Sequence, residues 1–304
     1  MHAVPEKSIC LVALDIDGTL SDTQYRIPPA NRQAIQDLRD AGIIVVLATG
    51  RRFASAVRFA RAVGVTAAGI FQNGAVIKDI RSRQLVFWQG LSPSLVRHVL
   101  KMGRMEGFSP LVFFGPDGPG RILLEERRLT HCPLEAYLMR SWDDVVVIPC
   151  LAETDLSNVV QVMFCGPVAA MRRLAERLRN RLERDANIFL TEYPQRDLTL
   201  LDVMHWSVSK GDALRRVAGI YGLPLRQTAA IGDNFNDLEM LQAAGLALVM
   251  GNADERLRAR FRNVLPDCAA GGVAWGIWRY ILPREDRLTE WFPAQNPTGK
   301  EEHG

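Results

Sequence analysis

The sequence predicts an α/β fold in which a parallel sheet flanked by helices is interrupted by an inserted α+β domain. Apolar runs of strand length alternate with amphipathic runs of helix length in about the first 80 residues, and again after about residue 200. Between these parts, short strand-like runs surround turns rich in glycine and proline, a pattern typical of antiparallel strands. The length of 304 residues is sufficient for about two domains.

The first part of the chain contains two strand–helix pairs and a further strand. Its strands are apolar and rich in β-branched residues, as expected for strands buried on both faces of a sheet. Each helix has apolar residues at helical spacing and ends at a glycine, and short connections favour right-handed βαβ units. The predicted strands are 9–14, 43–49 and 68–77, the last with a turn at Asn73 and Gly74, and the predicted helices are 29–42 and 53–64.

The middle of the chain has a different pattern. A hairpin strand, a helix that begins after Ser92 or Pro93, and further short strands precede one long amphipathic helix. We expect the many arginines of that helix to form its solvated face. The predicted strands lie within 82–90, 110–126, 143–149 and 158–166, and the long helix is 167–186.

The last third returns to the α/β pattern, with a helix at 209–222, a strand, polar loop and helix at 227–245, and a strand and helix at 246–261. We therefore predict that residues 1–82 and 201–290 form one core and that 83–200 form the inserted domain. The Pro-rich, charged tail 291–304 is predicted to fray.

Composition argues against several classes of protein. The net charge of +3 provides no broad basic field for nucleic acid. Five cysteines without CxxC spacing favour reduced thiols over disulfides or a zinc site. The sequence has neither a signal-peptide pattern nor an apolar run of ~18 residues, so we expect a cytoplasmic protein without a membrane partner.

Four polar clusters lie at predicted strand ends or at the start of a helix. Ligands of a parallel sheet bind outside the carboxyl ends of its strands, so these clusters are expected to meet at one edge. Each cluster alone has a simpler explanation, such as a polar strand end, a capped turn or a solvated lysine. Together they favour a functional site. The clusters are DIDGT at 15–19, TGRR at 49–52, SKG at 209–211 and GDNFND at 232–237.

The residue types suit binding of a phosphate together with a hard cation. The carboxylates of Asp15 and Asp233 are natural Mg²⁺ ligands. Lys210 supplies a positive charge and Thr49 a hydroxyl for phosphate oxygens. The sequence has no GxGxxG after the first strand and no GxxxxGK[ST], HExxH or GxSxG, which disfavours the corresponding cofactors and reactions.

The ordered motifs resemble those of the haloacid dehalogenase (HAD) superfamily, and within it the Cof-like branch of subclass IIB. The resemblance covers about residues 9 to 280 and implies a Rossmann-like core with an inserted α+β cap of the C2 type. Ser21 and the stretch 263–277 depart from the usual pattern. The matching segments are DIDGTL at 15–20, ATGR at 48–51, SKGDAL at 209–214, GDNFNDLEM at 232–240, NGA at 73–75 and MGNA at 250–253.

The resemblance implies a role for each catalytic residue. Asp15 would be the nucleophile and form an aspartyl-phosphate. Asp17 would be the general acid that protonates the leaving alcohol and then the base that activates water. Mg²⁺ would be held by the Asp15 carboxylate, the backbone carbonyl of Asp17 and Asp233. An acidic residue at position 17 is the feature expected of the phosphatases and mutases of this superfamily.

The resemblance also implies a phosphate-binding set. Thr49 and Lys210 would bind the transferring phosphoryl group, with Gly50 and Asn236 as further contacts. Asp237 would orient Lys210 or support the metal shell. Arg51 has two interpretations, a site residue or simply the start of the next helix.

Three functions are compatible with these motifs. The first is a Mg²⁺-dependent phosphatase that acts on a small phosphorylated metabolite, such as a sugar phosphate, as a monomer or homodimer. The second is a phosphomannomutase-like phosphotransferase, which would share this core and a similar cap. The third is a catalytically silent relative that serves as a regulatory binding protein. The intact Asp15, Asp17, Lys210 and Asp233 argue against the third.

Overall fold

The computed structural model describes residues 8–115, 121–125, 144–193 and 196–293. The strands of these residues are β1 (Leu11–Leu14), β2 (Ile44–Leu47), β3 (Ala68–Phe71), β4 (Val76–Asp79), β5 (Leu85–Trp88), β6 (Leu111–Phe114), β7 (Arg121–Leu124), β8 (Val145–Val147), β9 (Val159–Gly166), β10 (Ala186–Tyr193), β11 (Leu198–His205), β12 (Thr228–Gly232) and β13 (Leu246–Val249). The α-helices are α1 (Pro29–Asp40), α2 (Phe53–Ala62), α3 (Pro93–Met105), α4 (Val168–Leu182), α5 (Lys210–Ile220), α6 (Leu238–Ala243), α7 (Glu255–Arg258), α8 (Gly272–Gly276) and α9 (Glu285–Trp291).

A four-stranded parallel sheet in the order β13-β12-β1-β2 forms the centre of the core. The four residues of β1 are completely buried, which confirms the prediction of a strand covered on both faces. Leu14 at the end of β1 pairs with Leu47 on one side and Ile231 on the other. The residues that follow these three strands therefore emerge at the same edge of the sheet.

A smaller antiparallel sheet of β3, β4 and β5 extends the core, and its β3 is joined to the main sheet by a bridge between Ala48 and Ile70. The predicted turn at Asn73 and Gly74 is confirmed as part of a 3-10 turn at Gln72–Gly74. A Cβ atom on Gly74 would lie 2.3 Å from the carbonyl oxygen of Ser209, so this turn packs directly against the start of α5.

The inserted α+β domain is confirmed as a six-stranded sheet in the order β10-β11-β9-β6-β7-β8. Its pairings are antiparallel except for that of β7 with β8. The helices α3 and α4 cover it, and α4 buries Met171, Leu174, Leu178 and Leu182 in a separate hydrophobic core. An ion pair of 3.1 Å between the buried Arg52, just before α2, and Asp144, just before β8, joins this domain to the core.

The strands β10 and β11 were not expected from the sequence. They are eight residues each, but neither sequence alternates strictly between apolar and polar side chains. The strand β10 is half-buried along most of its length, and β11 has the polar Asp202 in the interior. The strand β11 runs to His205 within the inserted sheet, across the position where we predicted the core to resume. The exact domain limits at residues 82 and 200 stay predictions.

The C-terminal helices were also not expected, because α8 lies in a glycine-rich stretch and α9 in a stretch rich in charge and proline. They are held by tertiary contacts instead. A π-helical turn at Ile277–Ile281 buries Trp278 completely, and its indole Nε1 donates a hydrogen bond of 2.9 Å to Asp37 Oδ2 on α1. The predicted Gly/Pro turn at 116–120, Cys132 (one of the five cysteines) and residues 294–304 of the predicted tail lie outside the described residues. At the start of that tail, Trp291 ends α9 and Phe292 is buried.

Within the described ranges, none of the helices has both the length and the apolar character needed to cross a bilayer.

Candidate active site

A buried lysine joins three of the four polar clusters. Lys210 is the first residue of α5, whose N-cap Ser209 accepts a hydrogen bond from the Asp212 N–H. The Nζ atom of Lys210 lies 2.6 Å from Asp15 Oδ1 and 2.6 Å from Asp237 Oδ1, and the side chain is completely buried. The fold thus brings residues separated by up to 195 positions in the chain into hydrogen-bonding contact.

The charge of Lys210 is stabilised by its two partners. Burial by itself would lower the pKa of the Lys210 ammonium, but the negative charges of Asp15 and Asp237 raise it, and the net pKa lies above the usual value. Lys210 therefore remains a cation at physiological pH.

Asp237 fixes both the lysine and the loop that follows β12. While its Oδ1 atom accepts from Lys210, its Oδ2 atom accepts the backbone N–H groups of Asp233 and Asn234, each at 3.0 Å. The side chain is completely buried. Because both oxygens are engaged, Asp237 has little capacity left for a metal ion.

Asp233 packs tightly against the loop after β1. Its Oδ1 atom accepts a hydrogen bond of 2.9 Å from the Thr19 hydroxyl. Gly18 has φ +82°, and a Cβ atom there would lie 2.5 Å from Asp233 Oδ2. Glycine is therefore required at this position both by the left-handed backbone and by the space that the carboxylate occupies.

Asn252 supports the same loop and was missed as a site residue. Its Nδ2 atom donates to the carbonyl of Gly18 at 2.8 Å, and its Oδ1 atom accepts the N–H of Cys268 at 2.9 Å. The segment MGNA at 250–253 was the only sequence signal for this contact.

The donor set fits a divalent cation. Carboxylate oxygens of Asp15, Asp233 and Asp237 lie within 4.8 Å of one another. Three carboxylates face one ammonium group, so this cluster has two more negative than positive charges. Burial raises the pKa of Asp15 to about 7. The positive charge of Lys210 opposes this increase, whereas the negative charges of Asp237 and Asp17 add to it. Burial, followed by the charges of Asp15 and Asp237, likewise raises the pKa of Asp233.

Asp15 and Asp233 are the side chains best placed to hold such a cation. Lys210 contacts only the Oδ1 atom of Asp15, and Thr19 contacts only the Oδ1 atom of Asp233. Asp17, the third predicted ligand, directs its side chain elsewhere, so its contribution would come from its backbone carbonyl. Oxygen ligands of this kind suit Mg²⁺.

Asp17 forms a bidentate ion pair with Arg51. The Nε atom of Arg51 donates to Oδ2 at 2.6 Å, and its second terminal nitrogen donates to Oδ1 at 2.5 Å. The guanidinium also lies over the rings of Tyr25 and Phe59, at 5.1 and 5.0 Å from their centroids. The helix α2 begins only at Phe53, so Arg51 contacts the acidic motif and does not start the helix.

The predicted phosphate-binding residues lie close together at the same edge. Thr49 is buried, and its Oγ1 atom accepts the Arg51 N–H at 3.1 Å, which leaves its own O–H as a donor. Asn236 donates from Nδ2 to Asn73 Oδ1 at 3.0 Å. A Cβ atom on Gly50 would lie 3.1 Å from the same Asn73 oxygen. Asn73 is thus the residue that joins Gly50 to Asn236.

The arrangement agrees with comparisons to known proteins. A profile of the haloacid dehalogenase-like hydrolase family matches residues 12–277. The chain belongs to this family. Its Cof-like motifs agree with this assignment.

Two curated relatives span nearly the whole chain. Phosphatase YwpJ of Bacillus subtilis is 29% identical over 82% of this chain and 92% of its own length. Pyridoxal phosphate phosphatase YbhA of Escherichia coli is 24% identical over 90% of this chain and 98% of its own length. Among solved structures, the HAD subclass IIB sugar phosphatase BT4131 is 20% identical and has the same fold, with a TM-score of 0.73 over 90% of this chain and 99% of its own.

Replacing Lys210 with methionine should destabilise the fold, because two buried carboxylates lose their shared cation. We expect the free energy of unfolding to fall by about 3 kcal/mol, as when one partner of a buried ion pair is removed. Urea denaturation in the presence of a chelator measures this change. Lys101→Met, at an exposed position of α3, is the matched control and should differ little from the unsubstituted protein. Equal stabilities of the two variants would contradict the structural role of Lys210.

Proposed function

We propose that this protein is a Mg²⁺-dependent phosphatase that hydrolyses a small phosphorylated metabolite through an aspartyl-phosphate intermediate. The observation that carries the proposal is the contact of Lys210 with Asp15 at the edge of the parallel sheet. Carboxylate oxygens of Asp15, Asp233 and Asp237 lie within 4.8 Å of one another at this point. Family membership and two relatives named as phosphatases support the same reaction class, a phosphoric monoester hydrolase.

Asp15 is the nucleophile in this proposal. One of its carboxylate oxygens forms the bond to phosphorus while the bond between phosphorus and the leaving oxygen breaks. Lys210 and the Thr49 hydroxyl neutralise and orient the phosphoryl oxygens, with the Gly50 backbone and Asn236 as further contacts. Bound Mg²⁺, held by Asp15, the Asp17 carbonyl and Asp233, would supply the remaining positive charge.

Asp17 transfers the proton in both half-reactions. It gives a proton to the leaving alcohol and then removes one from the water that attacks the aspartyl-phosphate. Arg51 occupies both oxygens of Asp17 in this structure, so at least one of these hydrogen bonds must open before the proton can move. An incoming phosphate is an alternative anionic partner for Arg51 and would favour this exchange.

The inserted sheet supplies the leaving-group side of the site. Tyr193, at the end of β10, is about one-third exposed. Burial, followed by the negative charge of Asp17, raises the pKa of its phenol, which places Tyr193 on the Asp17 side of the site. One relative is named a pyridoxal phosphate phosphatase and one structural neighbour a sugar phosphatase, so a small phosphorylated metabolite is the proposed substrate class. The protein would act in the cytoplasm, without nucleic acid or membrane partners, as a monomer or homodimer.

A panel of phosphorylated metabolites tests this function. The full chain with Mg²⁺ should release inorganic phosphate from at least one member of the panel, and ranking by kcat/KM identifies the preferred leaving group. A hexose 1-phosphate in the panel separates hydrolysis from the mutase alternative. Isomer formation without phosphate release would overturn the proposal.

Substitution of the two motif aspartates should separate their roles. Asp15→Asn should reduce turnover by at least about 10³-fold, because an amide cannot act as the nucleophile. Asp17→Asn should retain phosphate binding but slow both half-reactions by about 10²–10⁴-fold. Single-turnover kinetics with a phosphorylated substrate measure both steps. Asp40→Asn, on the exposed face of α1, is the control. Near-normal turnover by Asp15→Asn would exclude this mechanism.

Removal of divalent metal should abolish activity. Dialysis against EDTA is expected to eliminate phosphate release, and addition of Mg²⁺ should restore it. Mg²⁺ should also raise the melting temperature of the intact protein, as any ligand specific for the folded state does. Gly18→Ala should weaken this thermal shift, because its Cβ would displace the Asp233 carboxylate. Full activity in EDTA would contradict a metal-dependent reaction.

A further inference from the structure

A chain of four side chains links the phosphate-binding edge to the inserted sheet. Asn236 Nδ2 donates to Asn73 Oδ1 at 3.0 Å, and Asn73 Nδ2 donates to Asp202 Oδ2 at 3.4 Å. Gln161 Nε2 donates to the other oxygen of Asp202 at 2.7 Å. Asp202 lies on β11 and Gln161 on β9, so these contacts cross from the core to the six-stranded sheet. We call Asn236, Asn73, Asp202 and Gln161 the amide relay.

Asp202 determines the orientation of the Asn73 and Asn236 amides, whereas Gln161 is also held by Gln72, whose Nε2 donates to Gln161 Oε1 at 3.2 Å. An ionised carboxylate can only accept, so Asn73 must turn its NH₂ group toward Asp202. The Oδ1 atom of Asn73 then faces Asn236, which must in turn present its own NH₂ group. The orientation of the Asn236 amide is therefore set by a carboxylate that it does not touch.

The far end of the amide relay can bind a phosphoryl oxygen through the Nδ2 group of Asn236, because only one of its two N–H groups is donated to Asn73. The Oδ1 atom of Asn236 is buried and accepts no hydrogen bond from the described part of the chain, so it can accept one from a ligand hydroxyl or water. Asn236 also precedes Asp237, which binds Lys210, and follows Asp233 by three positions. A change in the amide orientation of Asn236 would therefore alter the hydrogen-bonding groups beside the phosphate-binding edge.

Asn73 is rigidly attached to the core. It and Gln72 both have left-handed backbone angles, with φ of 53° and 48°. The N–H of Asn73 donates to the carbonyl of Thr49 at 3.1 Å, and that of Gln72 donates to the carbonyl of Arg51 at 2.9 Å. Asn73 therefore cannot follow a displacement of the inserted sheet, and its bond to Asp202 forms only when that sheet lies in the present position.

The burial of Asp202 carries a free-energy cost that a merely structural residue would avoid. The side chain is only 5% exposed, and no lysine or arginine of the described ranges forms an ion pair with it. Burial raises its pKa to about 6, although the hydrogen bonds from Gln161 and Asn73 oppose this shift. An apolar residue would pack at this position of a sheet at lower cost.

We propose that Asp202 is a positioning residue that orients the Asn236 amide through Asn73, and thereby completes the phosphate-binding edge only when the six-stranded sheet is seated on the core. This inference rests on the proposed function, in which Asn236 contacts the phosphoryl group. It gives the inserted domain a second role beside covering the leaving group, since its position is transmitted to the phosphate contacts.

Asp202→Asn tests the proposal, because asparagine has a similar shape but no longer forces one amide orientation. We expect the KM for p-nitrophenyl phosphate and the inhibition constant of inorganic phosphate to rise together by about tenfold, with kcat changed less than about threefold, as for loss of a uniform binding contact. A purely structural defect would instead lower kcat through the active fraction. Thr199→Val, also buried on β11 and without a hydrogen-bond partner for its hydroxyl among the described residues, should leave all three constants unchanged.

A double-mutant cycle tests whether the effect passes through Asn236. Asp202→Asn should have no further effect on either constant in an Asn236→Ala background, although the two side chains do not touch. Additive effects would overturn the proposal. Thermal melting of each variant verifies that it is folded.

A measurement independent of turnover separates failure of the relay from failure of the proposed function. In ¹⁵N spectra of the intact protein, Asp202→Asn should shift the side-chain NH₂ resonances of Asn236, whereas Thr199→Val should not. Unchanged Asn236 resonances would overturn the relay whatever the activity. If the unsubstituted protein releases no phosphate from any ester, but Asp202→Asn still causes these shifts, only the proposed function is overturned.

Discussion

The structure depends on one buried ammonium group between two carboxylates. Lys210 is the first residue of α5, and it forms ion pairs with Asp15, just after β1, and with Asp237, in the loop after β12. Without this cation, the buried carboxylates of Asp15 and Asp237 and the half-buried carboxylate of Asp233 would face one another with no positive charge between them. The stability of the core and the chemistry of its edge therefore rest on the same charge.

The geometry around this charge leaves little freedom. The loop after β1 must turn through Gly18 because Asp233 occupies the space of any larger residue, and Asn252 holds the carbonyl of that glycine from the opposite side. The bidentate contact of Arg51 fixes Asp17 beside the same edge. The two aspartates separated by Ile16 thus have different environments, one buried with a lysine and the other half-exposed with an arginine. In the proposed mechanism, this difference would give two identical side chains distinct chemical roles.

Much of this could be predicted from the sequence, because strand periodicity and motif order are local properties. Buried strands such as β1 and glycine-terminated helices such as α1 have clear patterns, and parallel strands bring their carboxyl ends together by geometry. The Arg51–Asp17 pair and the link through Asn73 and Asp202 could not be predicted, because each joins residues whose proximity is created by tertiary packing. The strands β10 and β11 and the π-helical turn around Trp278 were missed for the same reason, since neighbouring elements rather than local periodicity stabilise them.

The central position of β1 has a consequence for synthesis on the ribosome. This strand is made first, yet one of its two neighbours is β12, whose residues Thr228–Gly232 emerge more than 200 positions later. The inserted sheet, in contrast, is built from one continuous stretch of chain that ends at His205. The nascent chain can therefore complete the inserted domain while the apolar β1 still lacks a partner along one edge. The edge of β1 that pairs with β12 therefore stays unpaired until translation reaches the last third, and its pairing then closes a loop of more than 200 residues.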